Sequence, residues 1–120
     1  MKKMLVVEDD ELSQQTMFRI FRKVVEIDFC QSADEFSEKY SNTNYDIIIL
    51  DMTLAGIKQN LELAKEIKQF PLHVRTPIIC LTTQSQTKLR QTAIDSGTDL
   101  FLTKPIPNQV LREAVFSLIK

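Results

Sequence analysis

Ile47-Ile48-Ile49-Leu50-Asp51 is the stretch that most constrains this chain. Four consecutive apolar residues, three of them β-branched, close on a carboxylate. A short unbroken run of this kind reads as a strand buried on both faces, as in parallel sheets covered by helices. Asp46 precedes the run and the turn-like Leu54-Ala55-Gly56 follows it. A carboxylate where such a strand stops lies at the carboxyl edge of the sheet, where open α/β proteins bind ligands. Taken alone, an Asp after a strand is more often a turn former or a helix cap. What stands at the other strand ends decides.

Four further apolar runs accompany it. Met4-Leu5-Val6-Val7 ends on Glu8-Asp9-Asp10-Glu11, and a helix with the stripe Met17, Ile20, Phe21 and Val24 follows. Residues 26–31 form a weaker strand. Ser32, three residues before Glu35, matches a capping box and opens a short helix that ends near Tyr40. After Gly56 a helix carries Leu63, Ala64, Ile67 and Phe70 on one side until Pro71 stops it. Pro77-Ile78-Ile79-Cys80-Leu81 ends on Thr82-Thr83, and residues 84–96 form a helix with a thin face of Leu89, Ala93 and Ile94, closed by Gly97. Leu100-Phe101-Leu102 ends on Thr103-Lys104-Pro105. The last helix, over 108–119, carries Leu111, Ala114, Val115 and Leu118. Strand and helix alternate five times. The pattern calls for one parallel sheet with helices on both faces, joined by right-handed crossovers.

At 120 residues and 43% hydrophobic, the chain fits one domain over 1–120 with a real core. A net charge of -1 gives no electrostatic footprint for nucleic acid or an anionic membrane. No run approaches the ~20 apolar residues of a bilayer span, and Met1-Lys2-Lys3 leads straight into a strand without a signal-peptide pattern. The expected location is the cytoplasm. Cys30 and Cys80 sit in apolar surroundings and are expected as free, buried thiols. A lone His73, in a loop-like stretch, makes zinc improbable. Neither glycine belongs to a phosphate-cradling motif.

Parallel strands share one carboxyl edge. Glu8, Asp9 and Asp10 stand there after the first run, Asp51 after the third, Thr82 after the fourth and Lys104 after the fifth. Carboxylates gathered in one place repel unless a cation sits among them. Mg²⁺ suits a few carboxylates plus waters. A lysine adds a second positive centre, and a hydroxyl adds a hydrogen-bond donor. That is equipment for phosphoryl transfer, with the carboxylate as nucleophile forming an aspartyl phosphate.

Through Val6-Val7-Glu8-Asp9-Asp10, Ile47-Ile48-Ile49-Leu50-Asp51, Leu81-Thr82-Thr83 and Leu102-Thr103-Lys104-Pro105, essentially the whole chain resembles the receiver domain of bacterial two-component response regulators. The resemblance implies a flavodoxin-like, doubly wound, five-stranded parallel sheet of order 2-1-3-4-5 with five helices. It implies Asp51 as phospho-acceptor, Thr82 as the switch hydroxyl and Lys104 as its cationic partner. Mg²⁺ would be held by Glu8, Asp9, Asp51 and the backbone carbonyl of Thr53, with Asp9 the direct ligand of the acidic pair and Glu8 acting more through water. The Lys104-Pro105 bond would be cis. Phe101 takes the place of the aromatic that turns inward when Thr82 is drawn toward the phosphate. The implied phosphodonor is a sensor histidine kinase or phosphotransfer protein. The implied reader is a downstream target protein or effector domain, docking on the fourth helix, fifth strand and fifth helix. Leu89, Ile106 and Val110 are candidates for that surface, with ordinary half-buried packing as the plainer account.

The chain departs from the family pattern in several places. Leu54-Ala55-Gly56 lacks the usual Pro, and Ile57-Lys58-Gln59-Asn60 lacks an Asp-Gly. Thr83 is bulkier than the usual small residue and is placed to crowd the phosphoryl pocket. Phe101 lacks the hydroxyl of the commoner Tyr. Thr53 and Gln84 occupy the positions that tune phosphoryl lifetime. Three other readings compete. A haloacid-dehalogenase-type phosphatase needs a second Asp where Thr53 stands. A phosphate-independent docking module would use the same fold without the chemistry. Flavin binding wants a phosphate loop that is missing after the first strand. On the leading reading the chain is no enzyme beyond its own phosphoryl transfer and hydrolysis.

Overall fold

The computed structural model describes residues 1–51, 57–83, 91–92 and 94–119. Five strands, β1 (Lys3–Val7), β2 (Glu26–Cys30), β3 (Ile47–Leu50), β4 (Ile78–Thr82) and β5 (Leu100–Thr103), form one sheet. All neighbouring pairs are parallel, in the order β2-β1-β3-β4-β5. This is the flavodoxin-like, doubly wound arrangement. Four helices are delimited among the described residues: α1 (Glu11–Phe21), α2 (Ala33–Glu35), which runs on as a π-helix over Phe36–Tyr40, α3 (Ile57–Gln69) and α4 (Asn108–Leu118). The expected helix over 84–96 lies largely outside the described residues, although Gln91, Thr92, Ile94 and Asp95 are helical.

The period-two alternation of a strand explains the two cores. Met4, Val6, Ile47, Ile49, Ile79 and Leu81 face one side and pack with Met17 and Phe21 of α1 and with Leu111 and Val115 of α4. Leu5, Val7, Ile48, Leu50 and Ile78 face the other side and meet Phe36, Leu63, Ala64 and Ile67. Both faces of β1 and β3 are buried, so their apolar runs are continuous. Ser32 caps α2 as its spacing predicts: the Glu35 N–H donates to Ser32 Oγ at 3.1 Å, and the Gln31 N–H donates to Glu35 Oε1 at 3.2 Å.

Three expectations fail locally. Val24 does not join the α1 stripe and is 46% exposed. The helix stops at Phe21, whose carbonyl accepts the N–H groups of both Val24 and Val25, and this turn buries Val25 instead. Ile94 is 54% exposed. Three apolar positions in thirteen residues are too thin a stripe to fix which face is buried. The 71–75 stretch is no plain loop. Pro71–His73 form a 3₁₀ turn that buries His73 completely and leaves Leu72 and Val74 exposed. The ring of His73 bonds Ser41 O at 3.1 Å and lies against Phe36 and Tyr45.

Candidate functional site

The register of the two central strands builds the site. Val7 pairs with Leu50, so the next residues, Glu8 and Asp51, emerge side by side where the strands end. The Asp51 N–H donates to Val7 O at 2.8 Å, and the Glu8 N–H donates to Cys30 O at 2.8 Å. Strand order reverses between β1 and β3, the switch point at which doubly wound sheets open a crevice.

Asp51 is 4% exposed, and its Oδ1 takes Lys104 Nζ as ionic partner at 2.5 Å. Lys104 arrives from the end of β5, and its N–H donates to the carbonyl of Thr82 at 2.6 Å. That bond ties the Lys104 backbone to the expected switch threonine, which is half-buried at the end of β4. The Lys104–Pro105 peptide is cis. Asp51, Thr83 and Lys104 open on a cavity of about 570 Å³ that continues between α1 and α4 along Met17, Ile20 and Leu111. Thr83 is exposed at its mouth.

Glu8 carries the main electrostatic strain. It is 1% exposed, and its carboxyl is pushed up from 4.5 to about 8, chiefly by burial and then by the negative charge of Asp51. Its Oε2 accepts the Asp10 N–H at 3.2 Å, while Oε1 is buried without a hydrogen-bond partner among the described residues. Asp10, by contrast, faces α1 as its N-cap. It accepts the Ser13 N–H and Oγ–H, each at 2.9 Å, and these bonds hold its carboxyl below the usual value.

Two desolvated carboxylates and a half-buried Asp9 at one strand edge fit a hard divalent cation. Among the described residues no three His, Cys, Asp or Glu side chains close into a cage. An open, all-oxygen donor set is what Mg²⁺ takes, since it keeps several waters. The Thr53 carbonyl expected as a further ligand lies outside the described residues, as do Leu54-Ala55-Gly56, Gln84 and Leu89.

Phe101 is 5% exposed and packs inward against Leu61 and Cys80. Its outward position, where the missing hydroxyl would matter, is not the one adopted. Ile106 packs against the α1–α4 core, whereas Val110 is 45% exposed on α4. Both cysteines are free and buried, with Cys30 pushed up to about 11 and Cys80 to about 12, mainly by burial. Sequence reasoning missed two residues around the site. Asp10 had no separate part in it, and Gln14, whose Nε2–H donates to Glu8 O at 2.7 Å, drew no attention. The spacing of an N-cap before α1 signals the first. Nothing local signals the second.

A doubly wound parallel sheet of this order, with an acidic pair, a buried aspartate and a lysine at its switch point, defines the flavodoxin-like class of α/β proteins. Within that class the chain belongs to the response regulator receiver domain family, whose model matches residues 4–116. It is 33% identical over 110 residues to the transcriptional regulatory protein ResD of Bacillus subtilis, covering 89% of this chain and 44% of that protein. The chain spans about a third to a half of the length of several curated relatives it matches. In fold it is similar to chemotaxis protein CheY4 of Vibrio cholerae, with a TM-score of 0.88, 23% identity and 98% of each chain covered. It is also similar to the receiver domain of a sensor histidine kinase of Pseudomonas aeruginosa, solved with a magnesium ion coordinated in its active-site cleft. There the TM-score is 0.84 and the identity 22%, over 98% of this chain and 97% of that one. No helix among the described residues is long and apolar enough to cross a membrane.

Proposed function

We propose that the chain is a phosphorylation-dependent signalling switch with Asp51 as phospho-acceptor and a histidine kinase or phosphotransfer protein as donor. The observation that carries the reading is the buried Asp51 carboxylate, paired with Lys104 at 2.5 Å beside a buried Glu8 whose carboxyl is pushed up by burial and by Asp51. Glu8, Asp9, Asp51 and the Thr53 carbonyl are the residues that would hold Mg²⁺. When bound, the ion neutralises charge on the transferring phosphoryl oxygens.

A carboxylate oxygen of Asp51 attacks phosphorus, and the phosphorus–nitrogen bond of the donor phosphohistidine breaks. The electron pair of that bond leaves with the imidazole. Lys104 stays within reach of the oxygens that gain charge, and Thr82 supplies a hydroxyl donor from the neighbouring strand end. Hydrolysis reverses the modification: water attacks phosphorus, inorganic phosphate leaves, and the carboxylate returns. The new charge, about -1.5 to -2, draws Thr82 and Lys104 inward and shifts the population of surfaces offered to a target protein or effector domain. Phe101, already packed against Leu61 and Cys80, braces the inward arrangement.

The test is intact mass after incubation with acetyl phosphate, with and without Mg²⁺, for the wild type and Asp51→Asn. One phosphate adduct that requires Mg²⁺ and is lost in the variant supports the reading. A wild type that takes no adduct, and does not respond to beryllium fluoride, overturns it in favour of a phosphate-independent docking module.

A further inference from the structure

Glu8 is the last residue that the sheet holds before the chain turns into α1. Ladder pairing stops at Val7, opposite Cys30 on one side and Leu50 on the other. Beyond the Glu8 N–H, which reaches Cys30 O, the acidic pair therefore depends on other supports. Two are visible. The Asp10 N–H holds Glu8 Oε2 at 3.2 Å, and Gln14 Nε2–H donates to the Glu8 carbonyl at 2.7 Å. The second reaches back six residues from the first turn of α1, where the Gln14 backbone is fixed by its own N–H donating to Asp10 O at 3.0 Å.

We infer that Gln14 is a positioning residue for the cation-binding acidic pair, which rests on the proposed function above. The peptide unit is planar, so fixing the direction of the Glu8 carbonyl also fixes the N–H and Cα of Asp9. The Asp9 backbone is then fixed where it leaves the strand. Glu8 itself is held at three points: its N–H, its carbonyl and one carboxyl oxygen. The choice of residue matters as well. An amide holds the carbonyl without bringing a positive charge toward a site meant for a dication, as lysine or arginine would. Side chains that orient the ligands of a metal from outside the first shell typically change affinity 10–100-fold when removed.

The experiment compares wild type, Gln14→Met and Gln15→Met. Methionine keeps the length of glutamine but removes the donor, and Gln15 is the exposed next position on the same helix. Mg²⁺ binding is followed through the amide NMR shifts of Asp9 and Asp51, and thermal unfolding is recorded in EDTA. Gln14→Met is expected to weaken Mg²⁺ binding about tenfold or more. Gln15→Met should bind as the wild type does, and all three should unfold together in EDTA. A Mg²⁺ constant within about twofold of wild type in Gln14→Met, where a change of about tenfold or more is expected, overturns the positioning role alone. So does a joint fall of affinity and EDTA unfolding temperature, which assigns Gln14 to the fold. A wild type with no saturable Mg²⁺ binding overturns the proposed function itself.

Discussion

Glu8→Gln should make the metal-free protein more stable at alkaline pH while removing its response to Mg²⁺. Glu8 is 1% exposed, and its carboxyl is raised from 4.5 to about 8 by burial first and the charge of Asp51 second. A group whose folded-state value lies above its unfolded value gives stability that is fully present below the unfolded value. That stability is lost as pH rises through the folded one. For Glu8 the loss runs from about pH 4.5 to about pH 8. The gap spans about 3.5 pH units, and at about 1.4 kcal/mol per unit the ceiling is about 5 kcal/mol. Side-chain relaxation and water penetration reduce this to about 2 kcal/mol, because real burial penalties fall well below the dry-interior limit. Glutamine keeps the shape and never ionises. In a domain of this size about 1 kcal/mol moves the unfolding temperature by about 4 °C, so the expected gain at pH 8 is about 8 °C. The assay is thermal unfolding of both proteins in EDTA at pH 5 and pH 8, repeated with Mg²⁺. The two should nearly coincide at pH 5 and separate at pH 8. Mg²⁺ at about a hundred times its dissociation constant should return about 2.7 kcal/mol to the wild type and much less to the variant. Curves that stay together at both pH values in EDTA would refute the argument.

Two further outcomes follow from the same geometry. Lys104→Met removes the 2.5 Å partner of Asp51 and should slow adduct formation from acetyl phosphate about a hundredfold, the usual cost of losing one charge-stabilising donor. Single-turnover mass spectrometry reads the rate, and a loss below about threefold would count against the role of the lysine. His73, fully buried among Phe36 and Tyr45 with Lys68 nearby, is held below its ordinary value by burial. Its contribution to stability is therefore present above pH 6.5 and lost as pH falls below it, opposite in sign to that of Glu8. Imidazole NMR shifts should show a midpoint below 6.5, and chemical unfolding of His73→Phe should lose that part of the acid dependence.

The sheet and its functional edge were legible because short apolar runs leave little choice. Four residues such as Ile47-Ile48-Ile49-Leu50 cannot make a helix of useful length, and their alternation among helices forces a parallel order. Glu8, Asp51, Thr82 and Lys104 came out at one edge for the same reason. Less legible was whatever depended on a partner distant in sequence. His73 looks like loop punctuation between Leu72 and Val74, yet it is the polar ring that turns inward, because Ser41 O offers it a bond and Phe36 offers it a surface. Val24 and Val25 differ only in which one the turn after Phe21 presents to the core. Gln14 has no local signature at all; only the closed β1–α1 turn brings its amide onto Glu8 O.

The acidity of the site is a consequence of the fold's own packing. Met4 to Val7 and Ile47 to Leu50 are buried on both faces, and a slip of one residue would send every side chain to the opposite core, away from the neighbours it now packs against. That register sets the Glu8 and Asp51 backbones side by side, so local adjustment relieves only part of their repulsion. It can be relieved by a proton on Glu8, by Lys104 on Asp51 or by a dication between them. On the proposed function, a phosphoryl group on Asp51 would change the balance again, by replacing one carboxylate charge with a larger one and offering Lys104 new oxygens. The sheet thus holds two carboxyl groups together at a cost that each of these neutralisers offsets. Because Thr82 O is bonded to the Lys104 N–H, a shift of Lys104 is passed to β4 through the backbone. On the proposed function, this bond offers a backbone route from Lys104 to β4 that does not run through Phe101.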